Sequence, residues 1–468
     1  MSISTSDLPL RQRIARELAN PVMRHAIAGA QDLLNDKREK AFADLGNNGQ
    51  WRESAAAIRG HVLEHLDYYL HIFADNAEAA GAHVYFAEDA GAAAARGLQI
   101  LQQKNAVKAV KSKSMVTEEI GLNDLLEQAG IEVVETDLGE YLLQIDDHDK
   151  PSHIVVPALH KNRDRFCQVL TEKKGYTGDN VPENMTRFVR GLIRKEFLSA
   201  DVGITGCNFA VAATGSVTLV TNEGNGRFVT TAPKTQLVFM GMERIVPTLQ
   251  DLDVIFSMLA RSAVGAKLTS YMSLMTGPAK NDEQDGPEEL HIIIVDNGRS
   301  RVLASPHRDV LRCIRCGTCM LECPVYRHIS GHGYGTLYPG PLGLALVPVL
   351  AGYEEYKEII KICSLCGACD DVCPVKVPLH ATIAAHRQTI AEHGQLSTRG
   401  EKTAMAACGR VLGSSRLYDL ASRTARFGRL LPAVGYLGQW TIDRAMPAIP
   451  STRFRDWFAA RTTAEEDK

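Results

Sequence analysis

The sequence predicts a multidomain α/β chain: N-terminal helices, an α/β domain on a mainly parallel sheet, a cysteine-rich helical domain and a small helical C-terminal region. Three observations carry this. Strand-like and helix-like stretches alternate from about residue 81 to residue 300, as in βαβ units. Eight of the eleven cysteines then crowd between Cys313 and Cys373. The length, 468 residues, exceeds what one core normally holds. The expected boundaries are 1–80, 81–300, 301–390 and 391–468. With 45% hydrophobic and 23% charged residues, the chain can bury a full core. A net charge of −3 offers no basic domain of the kind that grips nucleic acid, and 6% aromatics is too few for a large single-strand stacking surface.

Residues up to about 80 read as helical: from Trp51 to Phe73, apolar side chains recur every three or four positions (Ile58, Val62, Leu66, Leu70, Phe73) until Asn76 and Gly81. A strand follows at His83–Phe86, an alanine-rich helix at Ala90–Gln103 and a strand at Val107–Val110. A helix at Glu118–Gln128 is stopped by Gly130, and a strand runs over Ile131–Thr136. Further strands are expected at Ile154–Val156, Val217–Thr221, Gln236–Phe239 and His291–Val295, with helices at Asn184–Leu198 and Thr248–Arg261. Pro278–Glu289 is acidic and polar, so it reads as a surface loop. From Arg301 to Pro378 cysteine, glycine and proline dominate; helical periodicity then returns, ending in an arginine-rich tail with Trp440 and Trp457.

The start, MSISTSDLPLRQRIARELAN, has no apolar core of the signal-peptide kind, so a cytoplasmic location is expected, where clustered thiols are metal ligands before they are disulfides. The run His328–Tyr353 lacks Asp, Glu, Lys and Arg, but its three prolines and six glycines argue against a spanning helix, and no transmembrane segment is expected.

The chemistry lies in a repeat. CIRCGTCMLECP and CSLCGACDDVCP are offset by 50 residues and both fit C-x2-C-x2-C-x3-C-P, with Cys313, Cys316, Cys319 and Cys323 in one copy and Cys363, Cys366, Cys369 and Cys373 in the other. Three thiolates at two-residue steps wrap one face of a cubane if the loop turns tightly, and Gly317 and Gly367 sit where that turn is needed. The fourth cysteine is carried away to the other cluster. Two [4Fe–4S] clusters with crossed ligation are therefore expected: Cys313, Cys316, Cys319 and Cys373 for the first, Cys363, Cys366, Cys369 and Cys323 for the second. Structural zinc would need two C-x2-C knuckles and neither the third step nor the trailing Cys-Pro. Such a pair makes an electron wire; by itself it oxidises no substrate.

Other features are less specific. GHGYGTLYPGPLG, between the motifs, is either a docking surface for a redox partner or a wrap that keeps water from the sulfurs. TNEGNG at 221–226 resembles a phosphate-cradling loop but reads as a tight turn, with Glu223 an exposed turn residue rather than a carboxylate for chemistry. Lys111 and Lys113, with His160, Lys161 and Arg163, form either an anion pocket or a solvated basic face. Cys207 reads as a small buried residue, and Cys167 and Cys408 have no partner visible in sequence. No nicotinamide, flavin or P-loop fingerprint is present, and no catalytic residue is singled out.

The paired motif, preceded by KSKSMVTEEIGLNDLLEQAGIEVVETDLGEYLLQI and GITGCNFAVAATGSVTLVTNEGNG, resembles the lactate utilisation protein B family, the iron–sulfur subunit of a bacterial L-lactate utilisation system. The resemblance covers nearly the whole chain. It implies a lactate-utilisation domain similar in fold to sugar-phosphate isomerases and CoA transferases, a ferredoxin-like dicluster domain and a small C-terminal domain. It also implies a three-protein complex oxidising L-lactate to pyruvate, with a cysteine-rich CCG-motif subunit and a short lactate-utilisation-domain subunit as partners and an unnamed electron acceptor. Peripheral membrane association would come through those partners. The alternatives are another 2-hydroxy acid such as glycolate, or an oxidoreductase whose own α/β domain binds the substrate; a cluster-based sensor lacks a DNA-reading module. Because no hydride acceptor is visible in the sequence, and because the uncharged run and the tail tryptophans suggest an interface, activity is expected to need partner subunits.

Overall fold

The computed structural model describes residues 3–280, 282–393, 399–424 and 452–466. They fall into two compact units, Met1–Gln388 and Thr389–Lys468. The first opens with α1 (Leu10–Leu18), α2 (Pro21–Leu45), α3 (Asn48–Glu64) and α4 (Leu66–Ala79). The apolar row from Ile58 to Phe73 is shared between α3 and α4, because His65, at φ −128° and ψ 38°, breaks the helix between them.

The α/β layer follows as β1 (His83–Ala87), α5 (Ala90–Gln103), β2 (Lys108–Lys111), α6 (Met115–Glu119), α7 (Leu122–Gln128), β3 (Glu132–Glu135), α8 (Leu138–Ile145), α9 (Arg163–Lys174), α10 (Pro182–Ser199) and β4 (Val202–Thr205). It continues with β5 (Phe209–Val211), β6 (Ser216–Thr221), α11 (Asn225–Thr231), β7 (Thr235–Gly241), β8 (Ile245–Val246), α12 (Leu249–Val264), β9 (Tyr271–Met275) and β10 (Glu289–Val295). Six strands form one sheet in the order β1-β10-β7-β4-β2-β3, parallel throughout. A smaller sheet, β8-β5-β6-β9, is mixed.

Helices cover both faces of the large sheet, which is why its central strands β7 and β10 carry apolar runs without alternation. Leu237, Phe239 and Ile293 face α5 and α7 in one core. Their neighbours Val238, Met240, Ile292 and Ile294 face Val62, Leu66 and Phe73 of the N-terminal helices in another. The period of two along β7 and β10 thus sorts side chains between two buried layers.

Two sequence expectations are corrected, and a third, left open between two alternatives, is decided. Glu118–Gln128 is two helices, because Gly121 at φ +65° interrupts it and starts α7 from a left-handed position. Ile154–Val156 is a turn rather than a strand: the His153 ring Nδ1 accepts from the amides of Val155 and Val156, and Tyr326 Oη donates to the Ser152 carbonyl, so this backbone is satisfied without a neighbouring strand. The uncharged run between the cysteine motifs is largely buried as α16 (Gly340–Ala351) and its approach, with Leu342, Leu344, Leu346 and Val347 at 1% exposure or less. It wraps the fold from within and is not a docking surface.

Before it come α13 (Arg299–Leu303), α14 (Thr318–Leu321) and α15 (Pro324–Ile329); after it, α17 (Tyr353–Tyr356), α18 (Ala368–Val372) and α19 (Leu379–Glu392). The second unit holds α20 (Arg399–Leu412), α21 (Ser415–Thr424) and α22 (Phe454–Glu466). Trp457 is 49% exposed; Trp440 lies outside the described residues. No described helix is long and apolar enough to cross a membrane.

Candidate metal centre and adjoining cavity

The two cysteine loops have the same backbone. Each follows a 3-10 turn, Arg308–Arg312 or Ile359–Ile362. Each places the second residue after its first cysteine in the left-handed region, Arg315 at φ 61° and Leu365 at φ 56°, and each turns again at glycine, Gly317 at φ 76° and Gly367 at φ 82°. This geometry aims amides inward. The Arg315 amide donates to Cys313 Sγ at 3.4 Å and the Leu365 amide to Cys363 Sγ at 3.3 Å. Farther on, the Tyr326 amide donates to Cys323 Sγ at 3.5 Å and the Val377 amide to Cys373 Sγ at 3.2 Å. Backbone N–H groups converging on sulfur stabilise thiolates and suit an anionic iron–sulfur centre.

The loops meet because α14 packs on α18. The thiols then sort by the charges acting on them. Burial pushes Cys316 and Cys319 up, Cys313 and Cys373 push both further, and Cys369 also acts on Cys319. Cys373 is itself raised to about 11, by burial and then by Cys313. Cys363 acts on both Cys323 and Cys369, and Cys323 also acts on Cys369. As thiolates, groups this buried would repel one another and are costly without a cation to neutralise them, so the donor set fits metal clusters. Cys366 is exposed, whereas Cys316 and Cys319 are buried. Cys207 is half-buried rather than fully buried as its sequence suggests, and desolvation pushes its thiol up to about 12, so it stays a thiol; Cys167 is half-buried and Cys408 exposed.

The N-terminal helices clamp this region, which the sequence did not disclose. From α2, Gln31 Nε2 donates to the Met320 carbonyl at 2.9 Å, Asn35 Nδ2 to that of Leu321 at 3.1 Å, and Arg38 Nη1 to Thr318 Oγ1 at 3.0 Å. From α3, Arg52 donates twice to the Cys373 carbonyl, at 3.0 and 2.8 Å. Fully buried Arg59 spans from the Ile245 carbonyl, 2.7 Å, to that of Leu311, 3.1 Å. Polar helix residues of this kind look solvent-facing until their partners, some 250 or more positions away in several cases, are folded against them.

Beside Cys313 lies a buried charge network. Arg244 donates to the Cys313 carbonyl at 3.1 Å. Arg299 binds Glu119 through both terminal nitrogens, at 2.8 and 2.9 Å, and Glu243 through Nε at 2.7 Å. Tyr338 Oη donates to Glu119 at 2.6 Å. Burial alone would raise the Glu243 carboxyl, but Arg299, then Arg315 and Arg244, hold it at about 2.

A cavity of about 580 Å³ opens where β2, β3, β4 and β7 end, the position at which parallel sheets present their ligand sites. Ser112–Ser114 follow β2, Asp137 follows β3, Cys207 follows β4 and Arg244 follows β7, while Arg315 and Tyr338 close the side toward the first cysteine loop. The basic residues grouped in sequence separate here. Lys111 is 1% exposed in its side chain and neutralised by Glu118 and Glu135. His160 and Lys161 pair with Asp149, 3.1 and 2.6 Å, away from the cavity lining. Lys113 and Arg163 do line it, as does Glu223, on a turn leading into α11. The basic group is therefore neither one pocket nor a solvated face.

A doubly covered parallel α/β domain joined to a paired four-cysteine loop defines an iron–sulfur protein with a ligand-sized cavity beside its metal region. Family models agree with this class: a LUD domain matches residues 70–295, a 4Fe-4S dicluster domain 309–377, and the C-terminal domain of lactate utilisation protein B 380–463. Lactate utilization protein B of Shouchella clausii is 51% identical over 469 residues, covering 98% of both chains. That of Bacillus subtilis is 51% identical over 466 residues, covering 98% of this chain and 97% of its own. An uncharacterized electron transport protein of Escherichia coli, YkgF, is 50% identical, covering 100% and 99%. A crystal structure of a DUF162 family protein from Deinococcus radiodurans aligns with 49% of this chain and 98% of its own at 16% identity and a TM-score of 0.29. The chain belongs to the lactate utilization protein B family and is an iron–sulfur protein of lactate utilisation with two [4Fe–4S] clusters.

Proposed function

We propose that this chain is the electron-transfer subunit of a complex that oxidises L-lactate to pyruvate, with one cluster on Cys313, Cys316, Cys319 and Cys373 and the other on Cys363, Cys366, Cys369 and Cys323. The observation that carries the reading is the pair of C-x2-C-x2-C-x3-C-P loops brought together by the packing of α14 on α18, with backbone amides aimed at Cys313, Cys323, Cys363 and Cys373. When bound, such clusters pass electrons one at a time, so two in series drain a two-electron donor. The chain's own residues hold and shield them. The amides of Arg315, Leu365, Tyr326 and Val377 donate to sulfur, and buried α16 with Tyr334 and Tyr338 excludes water. Exposed Cys366 gives the second loop an edge at which electrons can cross to a partner. The partners in this reading are a cysteine-rich CCG-motif subunit and a short lactate-utilisation-domain subunit.

Cys373→Ser tests the ligation. It lies in the second motif but should empty the first cluster, lowering iron from about eight to about four atoms per chain. The cluster that remains should be the one lost in Cys366→Ser, as resolved by the electron paramagnetic resonance of the reduced protein. If both variants lose the same cluster, the crossing is wrong.

A further inference from the structure

Two lysines two residues apart, Lys111 and Lys113, are treated in opposite ways. Lys111, at the end of β2, has Glu118 at 2.9 Å and Glu135 against its ammonium. The Lys113 ammonium is equally buried and has no hydrogen-bond partner among the described residues. The acids around it are committed elsewhere. Glu118 and Glu135 hold Lys111. Asp137 caps α8 by accepting from the Gly139 and Glu140 amides, at 3.0 and 3.2 Å. Glu140 makes no ion pair with Lys113, and burial pushes its carboxyl up to about 8. A buried ammonium with no protein group hydrogen-bonded to it is destabilising, and folds keep such groups where function needs them.

Lys113 forms part of the wall of the 580 Å³ cavity, and Arg315, whose Nη1 is likewise buried without a partner, forms another part. Apolar side chains such as Met115, Leu138, Leu219 and Val220 supply much of the remaining surface. We propose that this cavity is a binding site for a small organic carboxylate of the 2-hydroxy or 2-oxo acid class, whose carboxylate pairs with Lys113 and whose short apolar body lies against these walls. The lining's cations, Lys113, Arg163, Arg244, Arg299 and Arg315, face Asp137, Glu223 and Glu243, and Glu119 behind the wall pairs with Arg299, so the small positive excess suits a singly charged carboxylate better than a multiply charged phosphate. The choice of a 2-hydroxy or 2-oxo acid rests on the proposed oxidation of lactate; the site itself belongs to the α/β domain, and its occupancy is measurable whether or not electrons pass through the clusters.

The test is calorimetric titration of the full-length, cluster-loaded protein with L-lactate, pyruvate and inorganic phosphate in separate arms, repeated with Lys113→Met. L-lactate or pyruvate should bind, at least tenfold more weakly to the variant, and phosphate should not. Lys113→Met should also melt no lower than the parent, because it removes an unpaired buried charge; a merely structural lysine would lower the melting temperature. The proposal is overturned if neither carboxylate binds, if phosphate alone binds, if the variant binds both acids as tightly, or if it is destabilised. Loss of clusters from the parent protein would count against the electron-transfer reading and leave these titrations interpretable.

Discussion

Arg299→Met should be among the most damaging single substitutions in the chain. The guanidinium has 1% side-chain exposure, and the two carboxylates it serves, on Glu119 and Glu243, have 0% and 2%. Methionine fills much of the volume and supplies none of the three charge-assisted bonds. Glu119 would keep Tyr338 at 2.6 Å and Asn297 at 2.7 Å. Glu243 would keep Arg315 at 3.5 Å. Breaking a buried pair by removing one partner costs about 3–5 kcal/mol, and the loss of the main cation from two carboxylates at once puts this case toward the upper end, at about 4–5 kcal/mol. That is a large share of the ~5–15 kcal/mol that stabilises a typical domain. The network also ties α6, the turn after β7 and α13 to Tyr338 beside the first cysteine loop, so cluster retention should fall with stability. Urea unfolding followed by circular dichroism, with iron analysis on the same samples, reads both. Adding Glu119→Gln should recover part of the loss, since it removes one stranded charge. A cost below about 1 kcal/mol for Arg299→Met would refute this reasoning, because it would mean that the stranded carboxylates are easily neutralised.

The two motif glycines should respond unequally to alanine. Both need a positive φ, which costs a non-glycine residue about 1–2 kcal/mol; a Cβ on Gly317 would also lie 2.8 Å from His153 Cε1 and 3.3 Å from Val155 Cγ2, whereas one on Gly367 meets nothing within 4 Å. Gly317→Ala should therefore lower the melting temperature and first-cluster occupancy more than Gly367→Ala does, and equal effects would contradict the packing argument. Carboxylate affinity should fall as pH rises through about 8. Burial lowers the Lys113 pKa, so its ammonium is lost at lower pH than usual, while Glu140 becomes anionic above about 8; Asp137, Glu135 and Glu118 are the other acids facing Lys113. Both changes remove positive charge from the site, so both weaken anion binding. Titrations from pH 6 to 9 check the sign, and Glu140→Gln should flatten the part of the slope due to Glu140.

Much of this protein is written locally. The C-x2-C-x2-C-x3-C-P repeat states its chemistry in sequence, because the spacing alone wraps thiols around a cluster and the glycine turns are local backbone events. The helix Ala90–Gln103 was equally legible, its polar N-cap Asp89 and its alanine-rich body both being short-range signals. What failed was whatever depends on distant partners. Ile154–Val156 has strand composition, yet its amides are taken by His153 and its neighbouring carbonyl by Tyr326, 174 positions from Ser152. The uncharged run before α16 left docking and wrapping open, and burial decided for wrapping. Lys111 and Lys113 look alike in sequence; only the folded positions of Glu118 and Glu135 neutralise one and leave the other unpaired beside a cavity. Arg38, Arg52 and Arg59 read as ordinary helix-surface cations until the chain brings the cysteine loops against them. Spacing, turn chemistry and periodicity act over a few residues and so are legible along the chain. Charge pairing, burial and cavity formation are sums over groups that are close only after folding, and the tertiary structure alone decides them.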